Sequence, residues 1–210
     1  MELMLVNSYF LERDANEQKV MKPYPALGIL YLAAVAKQAG HSVHIFDGTF
    51  ETFTAYRTTI QLYKPDLIGI YANVITRENA LEMMKIAREM KFPVVLGGPD
   101  PSADAAEYLQ AGALAIVAGE GEQTLVELLS LLEENPAGEE LRSIAGLVLA
   151  QNGQLYATGI RKRIRDLDAL PLPDRDALNM EQYLTAWQSK HSYSSLNLIT
   201  SRGCPYHCTW

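Results

Sequence analysis

The chain is poor in the residues that mark several familiar classes of protein. Cysteine occurs only twice in 210 residues, at Cys204 and Cys208. A secreted disulfide scaffold spreads its cysteines through the fold, so that class is excluded. Long apolar runs are missing as well. The longest, Leu27 to Ala36, is helix-sized and ends at Lys37 and Gln38, well short of the ~20 residues a membrane span needs. Met1 to Asn7 has neither a basic flank nor a long apolar run, which is not the pattern of a signal peptide. These absences predict a cytoplasmic protein. An excess of positive charge is absent too: the formal net charge is -7, which argues against a nucleic-acid partner. The single basic cluster, Arg161, Lys162, Arg163 and Arg165, reads as a solvated loop or strand end.

What is present is alternation. Short apolar runs at Leu3–Val6, Val43–Phe46, Leu67–Tyr71, Val94–Leu96 and Leu114–Val117 read as strands buried on both faces. Between and after them lie helical stretches at Pro25–Gln38, Thr52–Tyr63, Arg77–Met90, Ser102–Gln110 and Gln123–Glu134. Thr76 is placed to cap the third of these. Five strand–helix units in strict alternation predict an α/β fold, a doubly wound five-stranded parallel sheet with helices on both faces. Right-handed crossovers leave few topologies, and the order 2-1-3-4-5 of flavodoxin-like folds is expected. A classical dinucleotide fold of different strand order is the alternative.

After Pro136 the pattern changes. Gly146–Ala150 and Gln154–Ala157 flank Asn152-Gly153, which predicts a C-terminal β-hairpin with a tight turn. Leu170-Pro171-Leu172-Pro173-Asp174-Arg175 reads as a linker, because proline stiffens the chain and removes donors. Tyr183–Ser195 has no clear assignment. Leu196–Thr200 looks like the start of a new strand. The expected organisation is therefore a domain over residues 1–137, a hairpin and linker over 138–195, and the beginning of a further unit over 196–210.

In an open parallel sheet, ligands bind beyond the carboxyl ends of the strands. That edge carries Asn7 and Ser8 after the first strand. Tyr71, Asn73, Val74 and Thr76 follow the third. Gly97, Gly98 and Pro99 follow the fourth, and Gly119, Glu120 and Gly121 the fifth. Glycine lets a bulky ligand approach the backbone, and Asn, Ser and Thr offer neutral hydrogen-bonding groups. Ordinary tight turns use the same residues. Two glycine-rich loops on adjacent strands raise the case for a ligand site. A dinucleotide site would place Gly-x-Gly-x-x-Gly after the first strand, and no glycine is there. Gly119-Glu120-Gly121 lacks the third glycine and sets Glu120 and Glu122 where a pyrophosphate would sit. No Walker loop occurs. His41 and His44 have no metal-spaced partner and read as structural or solvated.

The last residues stand apart. Thr200-Ser201-Arg202-Gly203-Cys204-Pro205-Tyr206-His207-Cys208-Thr209-Trp210 contains Cys-x-x-x-Cys, and close cysteine pairs hold iron–sulfur clusters. This run resembles the opening of the radical S-adenosylmethionine barrel, whose motif is Cys-x-x-x-Cys-x-x-Cys. Cys204 and Cys208 match the first two cysteines, and the third belongs just after Trp210. The upstream chain resembles the cobalamin-binding domain fused to one subgroup of that family, which includes anaerobic Mg-protoporphyrin ester cyclases and many methyltransferases. The resemblance rests on Pro25-Ala26-Leu27-Gly28-Ile29-Leu30-Tyr31-Leu32-Ala33, Val95-Leu96-Gly97-Gly98-Pro99-Asp100-Pro101, Gly119-Glu120-Gly121-Glu122, and Leu170-Pro171-Leu172-Pro173-Asp174-Arg175.

The resemblance implies cobalamin at the sheet edge, with its nucleotide tail tucked into the domain. It implies a 4Fe–4S cluster held through Cys204 and Cys208, with S-adenosylmethionine as the second cofactor of the longer protein. The partners implied are these small molecules and the remainder of the barrel. Classical cobalamin domains carry Asp-x-His-x-x-Gly, whose histidine ligates cobalt. That motif is absent, which leaves the lower cobalt face without a protein ligand or capped by water. Many relatives also carry histidine where this chain has Asp100. Two other readings stay open: a cofactor-free substrate-binding or packing module, and an unrelated flavodoxin-like receiver or reductase. A receiver wants acidic residues after its first strand and a phosphorylatable Asp after its third. Asn7 and Tyr71–Val74 supply neither.

Overall fold

The computed structural model describes residues 1–135 and 140–203. Its strands are β1 (Glu2–Asn7), β2 (Ser42–Asp47), β3 (Leu67–Tyr71), β4 (Val94–Gly97), β5 (Ala115–Val117), β6 (Leu147–Gln151) and β7 (Gln154–Ala157). Its helices are α1 (Ala15–Val20), α2 (Leu27–Gln38), α3 (Phe53–Tyr63), α4 (Arg77–Glu89), α5 (Pro99–Ala103), α6 (Ala105–Gln110), α7 (Gly121–Glu134) and α8 (Met180–His191). One sheet runs in the order β2-β1-β3-β4-β5-β6-β7. The first five strands are parallel in the expected flavodoxin-like order.

Side-chain alternation sorts the core into two layers. Met4, Val6, Ile68, Ile70, Leu96 and Ile116 face α3, α4 and α6. Leu3, Leu5, Leu67, Val95, Ala115 and Val117 face α2 and α7. Each of these side chains except that of Ala115, removed from water, contributes roughly 1.5–3 kcal/mol. Burial on both faces is why the strands read as unbroken apolar runs.

The hairpin does not stand apart from the sheet. β6 pairs antiparallel with β5, through Ile116↔Val148 and Val117↔Leu147, and β7 pairs antiparallel with β6. The five-stranded expectation is corrected to seven strands. Leu147 and Leu149 join the core under α7, which gives the hairpin its reason to dock. Arg161 fastens the same corner. Its guanidinium donates to Ala145 O at 2.8 Å and pairs with both oxygens of Glu127. Arg161 therefore leaves the basic cluster that was expected to be solvated.

Four further differences have local causes. The expected helix over Ser102–Gln110 is two short helices, broken at Asp104. Thr76 does not cap α4 with its side chain. Its hydroxyl accepts from Asn73 N at 3.0 Å, and the Asn73 Oδ1 accepts from Ile75 N and Thr76 N, so Asn73 organises the helix entry. Residues 196–200 form no strand, because a strand needs a paired ladder and none reaches this segment among the described residues. The unassigned stretch before it holds α8. Trp187 is 3% exposed and its Nε1 donates to Pro23 O at 2.8 Å.

Candidate functional site

The register sets one row across the sheet. Asn7 lies opposite both Asp47 and Tyr71, Tyr71 opposite Gly97, and Gly97 opposite Val117. This row is the carboxyl edge of the parallel strands, where loops and helix starts leave room for a ligand.

On the face covered by α2 and α7, positions 69 and 97 should each carry an inward side chain. Both are glycine. A cleft of about 260 Å³ opens at this point. Gly69, Gly97 and Gly98 form its floor, with Leu5, Val95 and Val117 beside them. Gly28, Tyr31 and Leu32 of α2 make one wall. Gly119 to Glu122 and Leu125 make another, and Ile199 with Arg202 closes the outer side. Gly98 is held at φ +113, where an added Cβ would lie 2.2 Å from Ala72 O and 3.0 Å from the Tyr71 ring. Only glycine allows the chain to turn so tightly against β3.

The residues expected at this edge divide into two groups. Tyr71, Gly97, Gly98, Gly119, Glu120 and Gly121 line the cleft. Asn7, Ser8, Asn73, Val74, Thr76 and Pro99 do not. Asn7 is buried and donates to Asp47 Oδ1 at 2.9 Å and Thr49 Oγ1 at 3.2 Å. Tyr183 of α8 donates to Asp47 and reaches Thr49 Oγ1 at 3.0 Å, so the network ties α8 to the ends of β1 and β2. Burial, with Asp47 alongside, pushes the Tyr183 hydroxyl well above its usual range. Ser8 is fully buried and donates to Tyr71 O at 2.7 Å. Asn73 and Thr76 hold each other in the turn before α4, and Val74 projects outward, 74% exposed. Pro99 opens α5 on an exposed face.

The two loop glutamates are less available than their sequence positions imply. Glu120 accepts from Ile164 N at 2.7 Å. Glu122 is buried and pairs with Arg202 at 2.6 Å. Asp100 is also spent internally. Arg77 donates to both of its oxygens at 2.9 and 2.7 Å, and Tyr108 donates as well. The Arg77 hydrogen bonds hold the Asp100 carboxyl below the usual carboxylate range.

Among the described residues no histidine lines the cleft. His44 stacks on Tyr63 and approaches Glu2 at 3.3 Å, and His191 Nε2 lies 2.9 Å from Val20 O. Among the described residues no group of three or more His, Cys, Asp or Glu is placed to hold a metal. Cys204 and Cys208 lie outside the described residues. No described helix is long and apolar enough to cross a membrane.

The sequence reading missed the α2 wall, Gly69 and the outer side formed by Ile199 and Arg202. Gly69 carried a usable signal. An isolated glycine inside a strand pattern marks a bulge or a close approach.

A glycine-floored apolar cleft at the carboxyl edge of a doubly wound sheet defines a ligand-binding α/β domain of the flavodoxin-like class. Residues 18–129, more than half of the chain, match the family model described as the B12 binding domain. The chain belongs to that family. It is 33% identical over 192 residues to an uncharacterized methyltransferase, PH0819, of Pyrococcus horikoshii, covering 89% of this chain and 40% of that protein. It is 25% identical over 199 residues to the anaerobic magnesium-protoporphyrin IX monomethyl ester cyclase of Cereibacter sphaeroides, covering 89% and 31%. The chain thus spans less than half the length of these curated relatives. The fold matches OxsB, a cobalamin-dependent S-adenosylmethionine radical enzyme, with TM-score 0.72 and 20% identity over 98% of this chain and 27% of that one. The form of OxsB with aqua-cobalamin bound matches with TM-score 0.69 over 83% and 24%, again at 20% identity.

Proposed function

We propose that this chain is the cobalamin-binding portion of a radical S-adenosylmethionine enzyme. The observation that carries the reading is the cleft floored by Gly69, Gly97 and Gly98. A flat, apolar heterocycle such as the base of the cobalamin nucleotide tail needs such a slot: deep, apolar-walled and free of side chains on its floor. Gly69, Gly97, Gly98 and Gly119 would give the tail close access to the backbone. Tyr31, Leu32 and Leu125 would pack its faces. The loops after β1 and β3, with Asn7, Ser8, Asn73, Val74 and Thr76, would border the corrin ring. In that arrangement Asn7, Ser8 and Thr76 hold the loops in shape, and Val74 offers an apolar contact rather than a cobalt ligand. These loops hold no histidine that would serve as a cobalt ligand.

Bound cobalamin supplies a cobalt-centred carrier for methyl transfer or radical chemistry. In the longer protein, Cys204 and Cys208 would hold two irons of a 4Fe–4S cluster, with S-adenosylmethionine on the same cluster. The reaction there would be methyl transfer or oxidative cyclisation, in the cytoplasm. Methyltransferases and cyclases among the relatives support that range. A cofactor-free packing module would fill this edge with large side chains, and glycines at 69 and 97 weigh against it.

The test is direct. The purified chain is mixed with hydroxocobalamin, passed through gel filtration and followed by visible absorption. Co-elution of the corrin spectrum with protein is expected, and a colourless protein fraction would refute the reading.

A further inference from the structure

The outer wall of the cleft does not come from the sheet or its helices. It comes from the segment that leads into the cysteine motif. Residues 195–203 carry no helix or strand, yet side chains pin them at intervals. Ser195 Oγ and Tyr24 OH share a hydrogen bond at 2.9 Å. Asn197 Nδ2 donates to Pro25 O at 2.9 Å, and Arg175 Nη2 donates to Asn197 O at 2.6 Å. At the far end Arg202 pairs with Glu122 at 2.6 Å and lies over the Tyr31 ring, 5.2 Å from its centroid. Ile199 and Arg202 both border the cleft.

We propose that residues 195–203 are a strap, latched by the Arg202–Glu122 ion pair, that forms part of the cofactor site itself. The ligand in this statement rests on the cobalamin reading; the latch does not. The latch follows from burial. Glu122 is 6% exposed in the first turn of α7, and a buried carboxylate needs a partner. Arg202 is the ion-pair partner it has among the described residues. The planar guanidinium satisfies Glu122 while covering Tyr31, and a lysine cannot do both equally well. Tyr31 and Glu122 stand on opposite walls, α2 and α7, so one side chain bridges the mouth. Cys204 follows Arg202 by two residues, about 7 Å of chain at full extension. The latch therefore limits how far from the cleft mouth the cysteine motif can begin.

Trypsin cutting at the Arg202–Gly203 bond reads the latch without any cofactor. Cleavage is followed by mass spectrometry in the 210-residue chain, and each rate is divided by that of a synthetic peptide of residues 195–210 carrying the same residue at position 202. Glu122→Gln should raise the ligand-free rate at least fivefold. Arg202→Lys, on a segment outside the core, should raise it as well, and it serves if Glu122→Gln fails to fold. Saturating hydroxocobalamin should slow cleavage of the wild type at least fivefold, and Glu122→Gln should speed cobalamin release by a similar factor. Equal ligand-free rates in wild type and both variants would overturn the latch. Bound cobalamin that leaves wild-type cleavage unchanged would overturn the strap's place in the site. Faster cleavage in the variants, with no cobalamin retained by the wild type, would uphold the latch and overturn the cobalamin reading.

Discussion

Gly97 and Gly98 are chain neighbours on the cleft floor, and alanine should act on them in opposite directions. Gly97 ends β4, with its open position facing α2 and α7. A Cβ added there would meet Val117 O at 3.7 Å and Val117 Cβ at 3.8 Å, both ordinary contacts. Glycine inside a strand costs about 0.5–1 kcal/mol relative to alanine, through the freedom it loses on folding. Gly97→Ala should therefore stabilise the ligand-free chain by about 0.5–1 kcal/mol. For a protein of this size, that raises Tm by roughly 1–4 °C. The same methyl group enters the slot assigned to the nucleotide tail, so hydroxocobalamin affinity should fall at least tenfold, about 1.4 kcal/mol. Gly97→Leu should abolish binding while the fold survives. Gly98→Ala should instead destabilise by about 1–3 kcal/mol, because φ +113 is a strained region for alanine and Ala72 O blocks the Cβ. Thermal melts and spectrophotometric titrations measure both quantities. Wild-type cobalamin affinity in Gly97→Leu would refute the placement of the ligand. A loss of stability in Gly97→Ala would refute the geometry of the floor.

Asp100→Asn should lower stability at pH 7 by about 1.5–3 kcal/mol, the range for hydrogen bonds to a charged group. The wild-type carboxyl is depressed by its Arg77 hydrogen bonds. Its contribution is present above the unfolded value near ~3.9 and is lost as pH falls through the lower folded value. The gap between wild type and Asp100→Asn should thus be constant above about pH 4 and begin to narrow below it, and melts between pH 7 and 3 would show whether it does. Tyr183→Phe removes the hydroxyl that reaches Asp47 and Thr49. It should cost about 1–2 kcal/mol, and a variant as stable as wild type in chemical denaturation would argue that α8 is not held through this network. Trp187→Ala, which empties a buried site packed against Tyr24 and Tyr193, should cost about 3–5 kcal/mol. Near-UV circular dichroism of the variant should lose the signal of an immobilised indole.

Sequence alone was enough for the elements whose signals are local. Doubly buried strands read as apolar runs at Leu3–Val6, Leu67–Tyr71 and Val94–Leu96 without knowledge of their neighbours. Strict strand–helix alternation then left the parallel order with little choice. The same is true of Gly97-Gly98 and Gly119-Glu120-Gly121, since a glycine pair at a strand end is visible wherever the strand is. Long-range partners decided the rest. Gly146–Ala150 is a hairpin strand in sequence, but only pairing with β5 makes it part of the main sheet. Asn7 and Ser8 sit on the edge row as expected, yet their polar atoms are engaged by Asp47, Thr49 and Tyr71, and all three partners lie 40 or more positions away. Nothing local in the sequence marks Asp100 as the partner of Arg77 and Tyr108, which meet it only in the fold. The strap was the least legible feature. Leu196–Thr200 reads as a strand in sequence, yet residues 195–203 take their position from single hydrogen bonds and an ion pair to residues 22 to 172 positions distant. Periodicity reports what a residue does with its near neighbours in sequence. The walls of this cleft are made by residues that meet only after the chain has folded.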